Sequence, residues 1–144
     1  LRYFNVFGPR QSLDDGYAVV IPKFISCILN DEPVPIYGTG KQSRDFTYVD
    51  NVVEANILAT QKAKFNGQVF NVAGGKNYSI LELLKILNKI MHKNIKPIFL
   101  APRLGDVFKT KADIQAAVNK LSYRPKVDFT HCLELAIEYF KRSL

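Results

Sequence analysis

Leu1-Arg2-Tyr3-Phe4-Asn5-Val6-Phe7-Gly8-Pro9-Arg10 decides how the rest of this chain is read. Leu1, Tyr3, Phe4, Val6 and Phe7 make a short apolar strand, and Gly8-Pro9 ends it. A strand at the first residue needs neighbours, and here they are expected upstream, outside these 144 residues. Function is then expected to be divided, with half of a site present and half elsewhere.

After that strand, polar Gln11 to Gly16 reads as a loop. Pro22 opens a helix to Asn30, with Phe24, Ile25 and Ile28 on one face. Val34 to Tyr37 is a short strand stopped by Gly38-Thr39-Gly40, and Arg44 to Val49 alternates like another. Asp50 is the expected N-cap of a helix from Asn51 to Lys64. Gln68 to Ala73 is a β-branched and aromatic strand closed by Gly74-Gly75. Ser79, with Glu82 three residues on, predicts a capping box and an amphipathic helix to about His92. A strand from Ile95 to Leu100 and helices from Lys111 to Leu121 and Phe129 to Lys141 complete the chain, with Asp128 or Thr130 capping the last. Alternating short strands and helices predict an α/β fold without a whole doubly wound sheet.

Composition narrows the partners. An apolar fraction of 47% is enough for a core. No run approaches the roughly 18 apolar residues of a membrane span. The net charge is +7, but Lys62, Lys64, Lys85, Lys89, Lys93 and Lys96 punctuate helices as solvated faces. No basic block interleaves with stacking aromatics, so no nucleic-acid partner is expected. Cys27 and Cys132 have no CxxC partner and read as buried or free thiols of a reducing, cytoplasmic setting. No Cys/His cluster has metal-ligand spacing, so no metal is expected.

Self-contained catalytic motifs are missing. No Gly-x-Gly-x-x-Gly follows a strand; Gly38-Thr39-Gly40 lacks the third glycine and the helix. No Tyr-x-x-x-Lys pair occurs: Glu82 stands four residues after Tyr78 and Ser143 four after Tyr139. What the chain does carry is Arg44, just past the glycine loop, and Arg103-Leu104-Gly105-Asp106 between a strand and a helix. A guanidinium fork suits bidentate contact with phosphate oxygens. A nearby aspartate can accept from two ribose hydroxyls. The spacing equally allows each arginine to pair with a neighbouring surface carboxylate.

Taken together, these stretches resemble the C-terminal part of an extended short-chain dehydrogenase/reductase of the nucleotide-sugar epimerase/dehydratase family. The resemblance rests on Arg2 to Arg10, Ile21-Pro22, Ile36-Tyr37-Gly38-Thr39-Gly40, Arg44 to Asp50, Phe70 to Gly75, Arg103 to Asp106 and Lys111 to Ile114. It spans essentially the whole chain and keeps the family's order. Residues 1–144 would form the nucleotide-sugar-binding region, with 1–8 and 51–75 packing on an absent NAD-binding Rossmann domain.

The resemblance implies roles for particular residues. Tyr3 would border the nicotinamide of NAD through its main chain, and Asn5 would reach the sugar diphosphate through its amide. Val20 and Ile21 would wrap backbone around the nucleotide. Ile36 and Tyr37 would read the uracil edge through the main chain, although a strand aromatic such as Tyr37 can equally be core. Arg44 and Arg103 would hold the phosphates and Asp106 the ribose. The acid/base tyrosine and its lysine would lie in the absent half, so no catalytic residue is assigned here and the chain alone is expected to be inactive.

Ala18 to Phe24, Ser43 to Phe46 and Gly105-Asp106-Val107 look most like UDP-hexose 4-epimerases, including those acting on N-acetylated sugars. Thr110 would border the sugar where a tyrosine restricts N-acetyl substrates, so it leaves room for an acetamido group. The implied partners are a UDP-sugar, the absent Rossmann half and, in the longer protein, a second copy as homodimer. Other readings are a nucleotide-sugar dehydratase, a UDP-glucuronate epimerase or decarboxylase, and a non-catalytic nucleotide-sugar-binding module.

Overall fold

The structure, a computed structural model, describes residues 1–12, 20–62, 67–125 and 128–143. The opening strand is present but broken. β1 (Arg2–Tyr3) and β2 (Val6–Phe7) flank Phe4 and Asn5, where the chain changes partner. β1 runs parallel to β6 (Asn71–Val72), and β2 runs parallel to β5 (Thr47–Tyr48). The changeover is held on both sides: Phe4 N–H donates to Val72 O at 3.1 Å, and Thr47 N–H donates to Asn5 O at 3.1 Å. Asn5 adopts φ +38° to make the break, a left-handed conformation that asparagine tolerates better than most residues.

The expected strand from Arg44 to Val49 is divided for a similar reason. β4 (Ser43–Asp45) pairs antiparallel with β7 (Asn77–Ser79), whereas β5 belongs to the β2 ladder. Between them Phe46 turns into the core. β7 was not legible as a strand, because Asn77, Tyr78 and Ser79 lead directly into a helix cap. The remaining ladder joins β3 (Val34–Tyr37) to β8 (Pro97–Leu100) in parallel. The expected strand from Gln68 is cut to Asn71 and Val72, because β1 offers a partner only at Arg2 and Tyr3.

Three helices cover one side of this framework. α1 (Val20–Leu29) buries Ile21, Phe24, Ile25 and Ile28, the spacing of a single helical face, with Pro22 tolerated in the first turn. α3 (Ile80–Ile90) and α5 (Phe129–Ser143) pack on it. Leu83, Leu87, Leu133 and Ala136 close the larger core. α3 stops short of His92 because Met91 caps it and His92 takes φ +53°. Asn88 then clips the following segment, bonding both the N–H and the carbonyl of Ile95 at 3.0 Å. Asp128 serves α5 as expected: its carboxylate accepts from Thr130 N–H at 2.9 Å, which helps hold its pKa below the usual value.

A second, smaller core joins α2 (Val49–Lys62) to α4 (Gln115–Leu121) through Ala55, Phe70, Val72, Ala117, Leu121 and Tyr123. The buried Tyr123 hydroxyl donates to Ala73 O at 2.9 Å, and burial pushes its pKa well up. α2 begins at Val49, so Asp50 lies inside the first turn rather than capping it. Its expected end at Lys64 falls outside the described residues, as do Ala18 and Val19 of the run before α1 and Leu13 to Gly16 of the first loop. α4 begins four residues later than expected. Lys111 to Ile114 are held as a loop by Asn71, which donates to Asp113 O at 3.0 Å, and by the Asp113 carboxylate, which accepts from Gln115 N–H at 2.9 Å.

The outer side of α2 and β1 is less covered. Tyr3, Val53, Ile57 and Val69 are about half exposed. Among the described residues no helix is long and apolar enough to cross a membrane.

The capping box of α3 is complete. Ser79 Oγ accepts from Glu82 N–H at 3.1 Å, while the Glu82 carboxylate accepts from the Ser79 N–H at 2.7 Å and its hydroxyl at 2.8 Å. These bonds hold the Glu82 pKa below its ordinary value. Their stabilisation is therefore present above the ordinary carboxylate range and lost as pH falls through the folded pKa. Ser79→Ala should cost about 1 kcal/mol in urea unfolding at neutral pH and flatten the decline in stability between neutral and acid pH.

Candidate functional site

The glycine loop after β3 aims the site. Gly38 and Gly40 have φ +70° and +72°, and a Cβ at Gly40 would meet Leu81 Cγ at 2.7 Å. Only glycine therefore lets the chain turn this closely over α3 and enter β4. Gln42 anchors the turn by donating to Tyr37 O at 2.6 Å.

β4 then presents Arg44. Its guanidinium pairs with the Asp106 carboxylate through Nη2 and donates to Ser43 O through Nη1 at 2.9 Å. The Arg44 side chain is 14% exposed and that of Asp106 35% exposed, so the pair lies at the rim of the body rather than in open solvent. Arg103 stands on the same loop as Asp106, whose N–H donates to Arg103 O at 3.2 Å in a turn completed by Gly105 at φ +79°. The Arg103 guanidinium lies over the Tyr37 ring, 3.8 Å from its centroid, a cation–π contact. The loop is stitched to β4 by Ser43 N–H to Phe108 O at 2.9 Å and Thr110 N–H to Ser43 O at 3.1 Å.

Four of the sequence-selected residues are thereby linked through one loop, which meets Tyr37 at the end of β3 through Arg103 and Arg44 on β4 through Asp106. Asn5 and Thr110 form an adjoining group: Asn5 Nδ2 donates to Asp45 O at 2.9 Å and to Thr110 Oγ1 at 3.4 Å. Val20 and Ile21 form the first turn of α1, with the Ile21 side chain fully in the core. The Ile36 side chain is also core, leaving only its main chain on the β3–β8 ladder. Tyr3 stands apart on β1, its hydroxyl donating to Asn56 on α2 at 3.0 Å.

Two residues that tie these groups together were missed from sequence. Asp45 has no solvent exposure; its carboxylate accepts from Gly75 N–H at 3.0 Å and Ala112 N–H at 3.4 Å. Burial pushes its pKa up, and the N–H groups of Ala112, Gly75 and Gly74 pull the other way. Gly74 permits this approach, since a Cβ there would lie 2.5 Å from Phe46 O. Asn77 donates to Thr110 O at 2.8 Å and Ser43 Oγ at 3.2 Å, fixing the loop that carries Thr110. Asp45 was visible only as the neighbour of Arg44, and nothing in its spacing announced Gly75 or Ala112 as partners.

A separate cavity of about 180 Å³ is walled by Phe7, Phe46, Tyr78 and Phe129 and includes neither arginine nor Asp106. Tyr78 and Phe129 stack there at 4.1 Å. Among the described residues no group of three or more His, Cys, Asp and Glu could hold a metal ion.

The model of the NAD dependent epimerase/dehydratase family matches residues 1–73, and the chain belongs to that family. A UDP-N-acetylglucosamine 4-epimerase from Methanobrevibacter ruminantium M1, solved in complex with UDP-N-acetylmuramic acid, is 43% identical with a TM-score of 0.92, covering 99% of this chain and 46% of that one. The UDP-glucose 4-epimerase of Thermotoga maritima, solved with UDP-glucose, is 40% identical with a TM-score of 0.92, over 99% and 45% of the two chains. A UDP-N-acetyl-alpha-D-glucosaminuronate decarboxylase from Bacillus cytotoxicus is 33% identical over 98% of this chain and 45% of its own length. The chain thus spans a little under half the length of the relatives it matches. The α/β fold is that of the Rossmann-type extended short-chain dehydrogenase/reductases.

The Asp45 network generates its own test. Asp45→Ala leaves the Gly75 and Ala112 N–H groups without their acceptor, and a buried orphaned donor costs about 1–3 kcal/mol. The variant should unfold at clearly lower urea concentration than the native chain.

Proposed function

We propose that this chain is the nucleotide-diphosphate clamp of a UDP-sugar 4-epimerase, acting with an NAD-binding half that lies outside it. The observation that carries this is one loop that sets Asp106 on the Arg44 guanidinium and Arg103 over the Tyr37 ring. The two guanidinium groups would take the diphosphate oxygens, each a charge-assisted fork. Asp106 would accept from the ribose hydroxyls. The main chain at Ile36 and Tyr37 would meet the uracil edge, and Val20 and Ile21 would lay backbone along the nucleotide. Asn5 would turn to the diphosphate by giving up its longer bond, the 3.4 Å contact to Thr110, while keeping the 2.9 Å anchor on Asp45.

NAD, when bound in such enzymes, accepts and returns the hydride at the sugar carbon. The residues of this chain alone do not fit that cofactor. There is no glycine fingerprint, and Tyr3, the residue proposed to border the nicotinamide, is half exposed with its hydroxyl on Asn56. No redox or proton-transfer step is therefore derived from these residues. Exposure of Tyr3, Val53, Ile57 and Val69 supports the docking of residues 1–8 and 51–75 on the NAD-binding half, since apolar side chains of this size clustered on one side call for a cover.

A second reading is a UDP-glucuronate-type decarboxylase or epimerase, favoured by the decarboxylase among the relatives. Both readings keep the clamp and differ at the sugar. A non-catalytic nucleotide-sugar-binding module also keeps the clamp and differs in having no reaction to serve.

Calorimetric titration of UDP and UDP-GlcNAc into the chain tests the clamp. Both should bind, and Arg103→Ala should weaken both by tenfold or more, roughly the worth of one charged hydrogen bond. Equal affinity in the variant would reject the clamp, and sugar turnover by the chain alone would reject the division of labour. The chain alone should self-associate in sedimentation through the uncovered Tyr3, Val53, Ile57 and Val69 side, and Ile57→Lys should reduce that without altering UDP affinity.

Thr110 supports acceptance of N-acetylated sugars, because its side chain is small where it meets Asn5. In the longer protein Thr110→Tyr should depress kcat/KM for UDP-GlcNAc selectively. An equal loss on UDP-glucose would refute that role.

A further inference from the structure

We infer that Asp106 is an internal competitor for Arg44: it holds the guanidinium position a diphosphate oxygen would take, and so selects ligands that carry hydroxyls as well as phosphates. The inference rests on the clamp reading and adds to it a cause of specificity. Its basis is the direct ion pair between the two side chains. Arg44 is the fixed member, largely covered and held by its own bond to Ser43 O at 2.9 Å. Asp106 is the more exposed member, about a third open to solvent, on a turn where Leu104, two residues before it, is fully exposed.

The consequence follows from charge and desolvation. A bare polyphosphate that reaches Arg44 must displace the carboxylate, which is then left beside the incoming negative charge with no donor in exchange. Both the lost pair and the new repulsion act against binding. A ribonucleoside diphosphate displaces the same carboxylate but brings vicinal hydroxyls, two donors that re-satisfy it. Asp106 thus penalises phosphate alone and rewards phosphate joined to a ribose. It also supplies a largely covered guanidinium with a counter-charge when no ligand is present.

The test compares inorganic pyrophosphate, UDP and 2′-deoxy-UDP by calorimetry on the native chain, Asp106→Asn, Asp106→Ala and Asp31→Asn. Asp31 pairs with Lys93 elsewhere on the surface and reports the general effect of losing one negative charge. Pyrophosphate should bind both Asp106 variants on the order of tenfold more tightly than the native chain and the Asp31 variant. UDP should gain nothing or weaken, and the preference for UDP over its 2′-deoxy form should shrink. Pyrophosphate affinity that is unchanged by the Asp106 variants, or raised equally by Asp31→Asn, overturns the competition. If that happens while Arg103→Ala still weakens UDP, the clamp stands and only the competition falls. If UDP fails to bind, or ignores Arg103→Ala, both fall together.

Discussion

Asp45 places one carboxylate where three segments must meet. It lies at the end of β4, beneath the Arg44 side of the rim, and takes N–H groups from the turn after β6 and from the loop before α4. Its own carbonyl takes the Asn5 amide. A fully buried carboxylate is tolerated only when such donors surround it. The same requirement fixes the spacing between the Arg44 strand, the Thr110 loop and the strand break at Asn5. The residues proposed to face the phosphates lie at the rim, but the positions of Arg44 and the Thr110 loop are set from underneath.

The strand breaks serve the same end. Each short ladder would be marginal alone, and the chain crosses between ladders at Asn5 and at Phe46. A crossing turns the main chain through an angle that a continuous strand cannot make. At Asn5 this brings a polar side chain off the ladder and against Thr110. At Phe46 it buries an aromatic ring in the larger core while Arg44, two residues earlier, remains at the rim. Local structure, packing and site geometry are therefore one constraint here, not three.

Much of the helical architecture was legible because it rests on local rules. α1, α3 and α5 follow from apolar spacing, and Ser79 with Glu82 marked the start of α3 to the residue. The arginines and Asp106 were legible as candidates because few residue types can hold a diphosphate and a ribose. The sequence left open whether Arg44 would meet a surface carboxylate or a ligand. The structure pairs it with Asp106 itself, so the two possibilities share one residue. Tyr37 likewise proved to be neither plain core nor free, since its ring carries the Arg103 guanidinium.

What the amino-acid order determined alone was the class of fold, the helices α1, α3 and α5 with the Ser79 and Asp128 caps, and the chemical types available for binding. These depend on residues within a turn or two of one another, where spacing is geometry. Tertiary structure alone decided where strands stop, that Asp45 would be a buried junction, that Lys111 to Ile114 would remain a loop, and that Asp106 would lie on Arg44. Those outcomes join positions 30 to 67 residues apart. No local pattern records which distant donor will reach a given acceptor, because that is fixed only when both cores have closed.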